Sequence, residues 1–152
     1  MRTALFGAFL GGLVLAGFTA RAAPSSAVFD QTCALCHQAG GVGAPGQFPR
    51  LAGRAAALAR LPAGRRLMIA AVLDGSIGHV QADHQTIVGV MPGFGQLTDA
   101  QVCEALNYIA SLDGGSAPPF TPAEIAAVRA HPLTPNEVNV MARDPAIEAA
   151  AP

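Results

Sequence analysis

Cys33-Ala34-Leu35-Cys36-His37 constrains this chain more than any other stretch. Two thiols three residues apart share one face of a helical turn, and an imidazole follows at once. That order is the attachment pattern of a c-type haem: both sulfurs reach the two vinyl groups of one porphyrin, and His37 is held beneath the iron as the proximal axial ligand. Cys-x-x-Cys also marks redox dithiols and half of a zinc site. A zinc ribbon needs a second cysteine pair, and only Cys103 remains. A thioredoxin-like dithiol needs a βαβ setting that the flanking sequence does not supply. The stretch therefore predicts one haem c, bound through thioethers to Cys33 and Cys36.

The rest of the composition fits a domain that folds around such a group. The chain has 152 residues, enough for one domain, and its 17 Gly and 12 Pro imply much loop. Aromatic residues make up only 5% and Trp is absent, so the side chains alone build a thin core that a buried porphyrin would fill. The net charge is -1, and every basic residue is Arg. Strong nucleic-acid binding is excluded on that balance, and so is a lysine-studded docking face.

Residues 1–22 read as a signal peptide. Arg2 supplies the positive start, Leu5 to Phe18 the apolar stretch, and Ala20-Arg21-Ala22 a small-x-small cleavage site. The apolar stretch is short for a span of about 20 residues, which favours cleavage after Ala22 over a retained anchor. The expected location is the periplasm, with a membrane partner only if the segment is uncleaved. Export agrees with the haem motif, because haem is attached covalently outside the cytoplasm. Cys103 lies in a helical pattern and reads as a small buried hydrophobe.

Pro24-Ser25-Ser26 supplies an N-cap signal, and 27–37 reads as the first helix, with Phe29 on the face of the thiols. Residues 38–46 are loop. Helical pattern returns over 55–61 and from Pro62 to Leu73, where Gly75 and Gly78 break it. Residues 77–90 mix β-branched and polar side chains, as a short irregular hairpin would. Met91-Pro92-Gly93-Phe94-Gly95 reads as a loop that can approach a flat ligand closely. Thr98-Asp99-Ala100-Gln101 is a capping box opening a helix to about Leu112, with Val102, Ala105, Leu106, Ile109 and Leu112 on its apolar face. Thr121-Pro122-Ala123-Glu124 and Thr134-Pro135-Asn136-Glu137 are two copies of one helix start, so the C-terminus reads as two short helices.

With Cys-x-x-Cys-His near the start, a Met-Pro loop before the last core helix, and Leu-Thr-Asp…Leu-x-Tyr-Ile in that helix, residues 25 to 115 resemble class I cytochrome c. The resemblance implies an all-α fold: a small helical domain wrapped around one covalent haem. The chain then divides into a signal peptide (1–22), a cytochrome c domain (23–115) and a C-terminal extension with two short helices (116–152). It also implies a one-electron carrier and no enzyme, with His37 and Met91 as axial ligands. The family sets a proline carbonyl against the other ring nitrogen of the proximal His, and Pro49 occupies the matching place. Phe29 and Tyr108 match the aromatic contact between the family's first and last core helices. The tail beginning at Gly114 is similar to that of small periplasmic cytochromes and of cytochrome modules paired with redox enzymes, although the corner here reads Leu-Asp-Gly-Gly.

Alternatives remain at several positions. His79 and His84, just upstream of Met91, are rivals for the sixth iron position, while Met68 and Met141 read as core. Arg50, Arg54, Arg60, Arg65 and Arg66 read as a solvated face; Arg50 and Arg54 are the candidates for pairing with haem propionates. The expected partner is a redox protein (a dehydrogenase, a reductase or a terminal oxidase). The competing functions are a dedicated cytochrome subunit of a larger dehydrogenase or reductase, docked by its tail, and a haem enzyme or sensor with an open sixth site.

Overall fold

The computed structural model describes residues 26–151, so the expected signal peptide and its cleavage site lie outside the described residues. Ser26 opens the first helix: its Oγ accepts the Phe29 N–H at 3.1 Å and donates to Glu104 Oε1 at 2.9 Å. The segment Phe29–Cys33 is π-helical, with the Ala34 N–H reaching back to Phe29 O, and it runs straight into α1 (Ala34–His37). Such one-turn π insertions collect at functional sites. This one delivers both Phe29 and Cys33 to the interior.

After α1 the chain makes a glycine-rich loop that folds back beneath it. The Gly43 N–H bonds to His37 O at 2.9 Å, and the Leu51 N–H bonds to Gly41 O at 2.8 Å. Gly43 has φ +70°, and a Cβ there would stand 2.7 Å from both Arg50 N and Phe48 O, so only glycine lets the two arms of the loop meet. Two helices follow, α2 (Arg54–Ala59) and α3 (Pro62–Asp74), the second with Pro62 in its first turn.

The 77–90 region is more regular than its sequence suggests. Strands β1 (Ser76–Ala82) and β2 (Gln85–Met91) form a fully paired antiparallel hairpin, from Ala82↔Gln85 to Ser76↔Met91. Its two-residue turn is Asp83-His84, with φ of 51° and 60°. Both values lie in the left-handed region that a type I′ hairpin turn demands. Met91 is therefore the last residue of a strand, not part of a free loop. The ladder is also the exception to the all-α expectation for an otherwise helical protein.

Helix α4 (Asp99–Ser111) begins with the expected capping box, Thr98 and Gln101 each accepting the other's backbone N–H. Its apolar face is buried as patterned: Val102, Ala105, Leu106, Ile109 and Leu112. The first helix crosses it where Phe29 and Tyr108 meet, with ring centroids 4.9 Å apart at 52°. That tilted contact matches the expected aromatic crossing.

The C-terminal extension holds three helices, not two: α5 (Pro122–Arg129), α6 (Pro135–Ala142) and α7 (Pro145–Ala150). Pro145 opens the third. Asp144 supplies the cap, accepting the Ala146 N–H at 2.8 Å, and Pro fits the first turn because its missing N–H is not needed there. Ile125, Val138 and Ile147 stand beside Phe29, Ile69, Val102 and Leu106 among the largest fully buried side chains of the described residues. The extension is thus part of the core.

Polar brackets fix its path. Asn107 on α4 accepts the Phe120 N–H at 2.7 Å and donates to Phe120 O at 3.2 Å. Arg65 on α3 grips Glu124 with two nitrogens, each at 2.8 Å, and donates to the carbonyls of Ala59, Pro118 and Pro119. Arg129 on α5 reaches Asp99 at 2.9 Å and the carbonyls of Gly95 and Leu97. The solvated-face reading of the arginines fails accordingly for Arg65, whose side chain is only 14% exposed. Arg50 pairs with Asp83 at 2.6 Å but keeps a 38% exposed side chain, and the reading holds for Arg60 and Arg66.

Candidate haem-binding site

A cavity of about 260 Å³ lies between the first helix, α3, the hairpin and the extension. Cys33, Cys36 and His37 line it from one side, Pro49 and Leu51 from the loop, and Met91 from the end of β2. All five residues expected at the site therefore face one space. Between the two thiols, Leu35 points outward and is 84% exposed, as the spacing on a helical turn requires.

His37 is 8% exposed, and its Nδ1 lies 2.9 Å from Pro49 O. A carbonyl only accepts, so Nδ1 carries the proton and the lone pair sits on Nε2. Burial pushes the imidazole below its ordinary pKa, and the Pro49 carbonyl pulls it partly back. A neutral ring with a fixed tautomer is the form that binds iron.

Burial raises the Cys33 thiol to about 11. A redox dithiol works with a depressed pKa, so this cysteine is set against that reading. No third Cys, His, Asp or Glu joins the pair to make a metal cage among the described residues. Cys103 is buried within α4, its thiol also raised by burial, and does not line the cavity.

The hairpin separates the rival ligands by strand periodicity. Ser76, Gly78 and Val80 line the cavity, so His79 faces the other way and is exposed, and His84 is exposed at the turn. Neither histidine lines the cavity. Met68, read from sequence as plain core, does line it from α3, and Met141 does not. Three contributors from the extension escaped the sequence reading. Asn139, Ala142 and Ile147 close one side of the cavity, and no periodic signal in such short helices points inward to a cofactor.

Arg54 supplies the test of fit. It lines the cavity, and its Nη1 is buried without a hydrogen-bond partner among the described residues. A buried unpaired guanidinium nitrogen calls for an anion. Arg50 is already committed to Asp83 and to Ala52 O. An apolar slot with two thiols, a neutral imidazole and one waiting arginine suits a flat, apolar, carboxylate-bearing ring.

Fold and site together define a small helical protein built around a covalently held haem. Residues 22–113 match the family Cytochrome c, and the chain belongs to it. It is similar to a cytochrome c-552 of Thermus thermophilus, 37% identical over 142 residues that cover 90% of this chain and 92% of that protein. A second Thermus thermophilus cytochrome c-552 is 39% identical, over 70% of this chain and 85% of that protein. A cytochrome c-555 of Chlorobaculum thiosulfatiphilum is 34% identical over 58% of this chain and 92% of its own length. The chain is thus a haem-based electron carrier with one covalently bound haem c. Among the described residues no helix is long and apolar enough to cross a membrane.

Proposed function

We propose that this chain is an exported one-electron carrier whose haem is joined to Cys33 and Cys36 and ligated by His37 and Met91. The observation that carries the reading is the His37–Pro49 hydrogen bond, made inside the same cavity that both thiols and Met91 line. When bound, the haem supplies an iron that cycles between two oxidation states. The protein residues do the rest. Pro49 O orients the imidazole and raises the basicity of Nε2. The ladder pair Ser76↔Met91 holds the thioether at the cavity wall, and thioether sulfur favours the reduced iron. Arg54 would meet a propionate. The aliphatic walls from α3, α4 and the hairpin exclude water.

With His37 and Met91 both holding the group, no site would be left open for bond-making chemistry, and specificity would rest with a redox protein partner: a dehydrogenase, a reductase or a terminal oxidase. Location in the periplasm, after cleavage behind Ala22, follows from the residue pattern of the N-terminus. Ile125 and Val138 of the tail are fully buried within this chain, which leaves neither free to dock on a larger enzyme.

Met91→Ala tests the ligand set. It should abolish the weak long-wavelength absorption of the oxidised protein that marks sulfur on the iron. It should also lower the potential and open the reduced protein to carbon monoxide. His79→Ala and His84→Ala should leave the spectrum unchanged. A spectral change in either histidine variant, with none in Met91→Ala, refutes the His/Met assignment.

A further inference from the structure

Among the described residues, Asn139 is the one buried polar residue of the extension, 3% exposed, and it lines the same cavity as Met91. Its Nδ2 donates to His79 O on β1 at 2.9 Å. The same amide lies flat on the neighbouring Gly78, where an added Cβ would stand 2.5 Å from Oδ1 and 2.8 Å from Cγ. Gly78 has φ +135°, a conformation that side chains resist, so two separate features keep this position free for the amide. The sheet has only two strands, and β1 depends on α6 for support on its far side. Two residues before Gly78, Ser76 pairs with Met91. The end of the ladder, from His79↔Val88 to Ser76↔Met91, therefore joins the amide of Asn139 to the strand end that carries Met91.

We propose that Asn139 is a positioning residue of the haem site: by clamping β1 at Gly78 and His79 it fixes the hairpin, and through the ladder it keeps Met91 on the iron. The extension then governs how often the sixth position opens. This inference rests on Met91 as sixth ligand.

Carbon monoxide binding to the reduced, full-length holoprotein reports that opening, because its rate scales with the fraction of molecules whose sulfur is off the iron. Asn139→Ala removes one buried hydrogen bond and should speed binding about tenfold. Gly78→Ala, which drives a methyl group into the amide, should act in the same direction, and the double variant should fall short of the product of the two effects. Ile125→Ala is the control. It opens a hole in fully buried α5 packing and should lower the unfolding midpoint while leaving the carbon monoxide rate as it was. Should Asn139→Ala fail to fold, Gly78→Ala carries the same comparison. A rate in Asn139→Ala and Gly78→Ala no faster than in Ile125→Ala overturns the proposal. If Met91→Ala itself does not speed binding, the sixth-ligand reading fails instead.

Discussion

Replacing Arg65 by Met keeps the length of the stem and removes the guanidinium that ties the extension to α3. Its five hydrogen bonds are not equivalent. The carbonyls of Pro118 and Pro119 lie on exposed residues and exchange one partner for water at little cost. Ala59 is fully buried, so the carbonyl that Arg65 now satisfies would be left unpaired, at about 1–3 kcal/mol. The two-pronged bond to Glu124 contributes about 1 kcal/mol, discounted because that carboxylate is 38% exposed. The guanidinium also stands 4.0 Å over the Phe120 ring, for roughly 1 kcal/mol more. Together the loss is about 3–5 kcal/mol, or about 10–15 °C in the unfolding midpoint for a domain of this size. The assay is thermal unfolding followed by far-ultraviolet circular dichroism, with Arg66→Met as the exposed comparator, expected to shift by about 1–2 °C. Acid supplies a second arm. The Arg65 hydrogen bond, before any other cause, holds Glu124 below its ordinary value of 4.5. A depressed carboxylate stabilises the fold fully above its unfolded pKa, and that contribution disappears as pH falls through the folded value. The gap between wild type and Arg65→Met should therefore narrow below about pH 4.5. Equal shifts for Arg65→Met and Arg66→Met, or a gap unchanged in acid, would refute the reasoning.

Mass spectrometry of the mature protein should find one haem added covalently, with Cys103 alkylated only after unfolding, since its thiol is buried. A mass without haem, from a host with working cytochrome maturation, contradicts the site. Truncation after Ser116 removes α5, α6 and α7 and should lower the unfolding midpoint by more than Arg65→Met does. Electron transfer to the native partner should keep its dependence on partner concentration; a steeper dependence would mean that the tail touches the partner.

Much of this site was legible because its signals are local. The cysteine spacing, the histidine after it and the capping residues at Thr98, Thr121 and Thr134 each state their geometry within a few positions. The Pro49 carbonyl was reached only through the family resemblance, since nothing in the residue itself tells which donor it meets. The hairpin was half legible. Its turn, Asp83-His84, lacks the glycine that usually announces a type I′ turn, and Arg50 holds Asp83 there by a pairing 33 residues distant in the chain. With the turn unseen, Met91 read as loop. The third tail helix was hidden because a proline serves as stop or start depending on the cap before it, and here Asp144 decides. Arg65 and Asn139 carried no signal at all. An arginine or asparagine within a helix takes its role from what tertiary packing brings against it.

The side of the cavity closed by Asn139, Ala142 and Ile147 belongs to the last stretch of chain, while the cysteines that take the haem belong to the first. The pocket therefore has no local origin: its thiols and the wall that completes it come from opposite ends of the described chain. Freeing either end from the core opens the slot, so the pocket is only as durable as the docking of the extension.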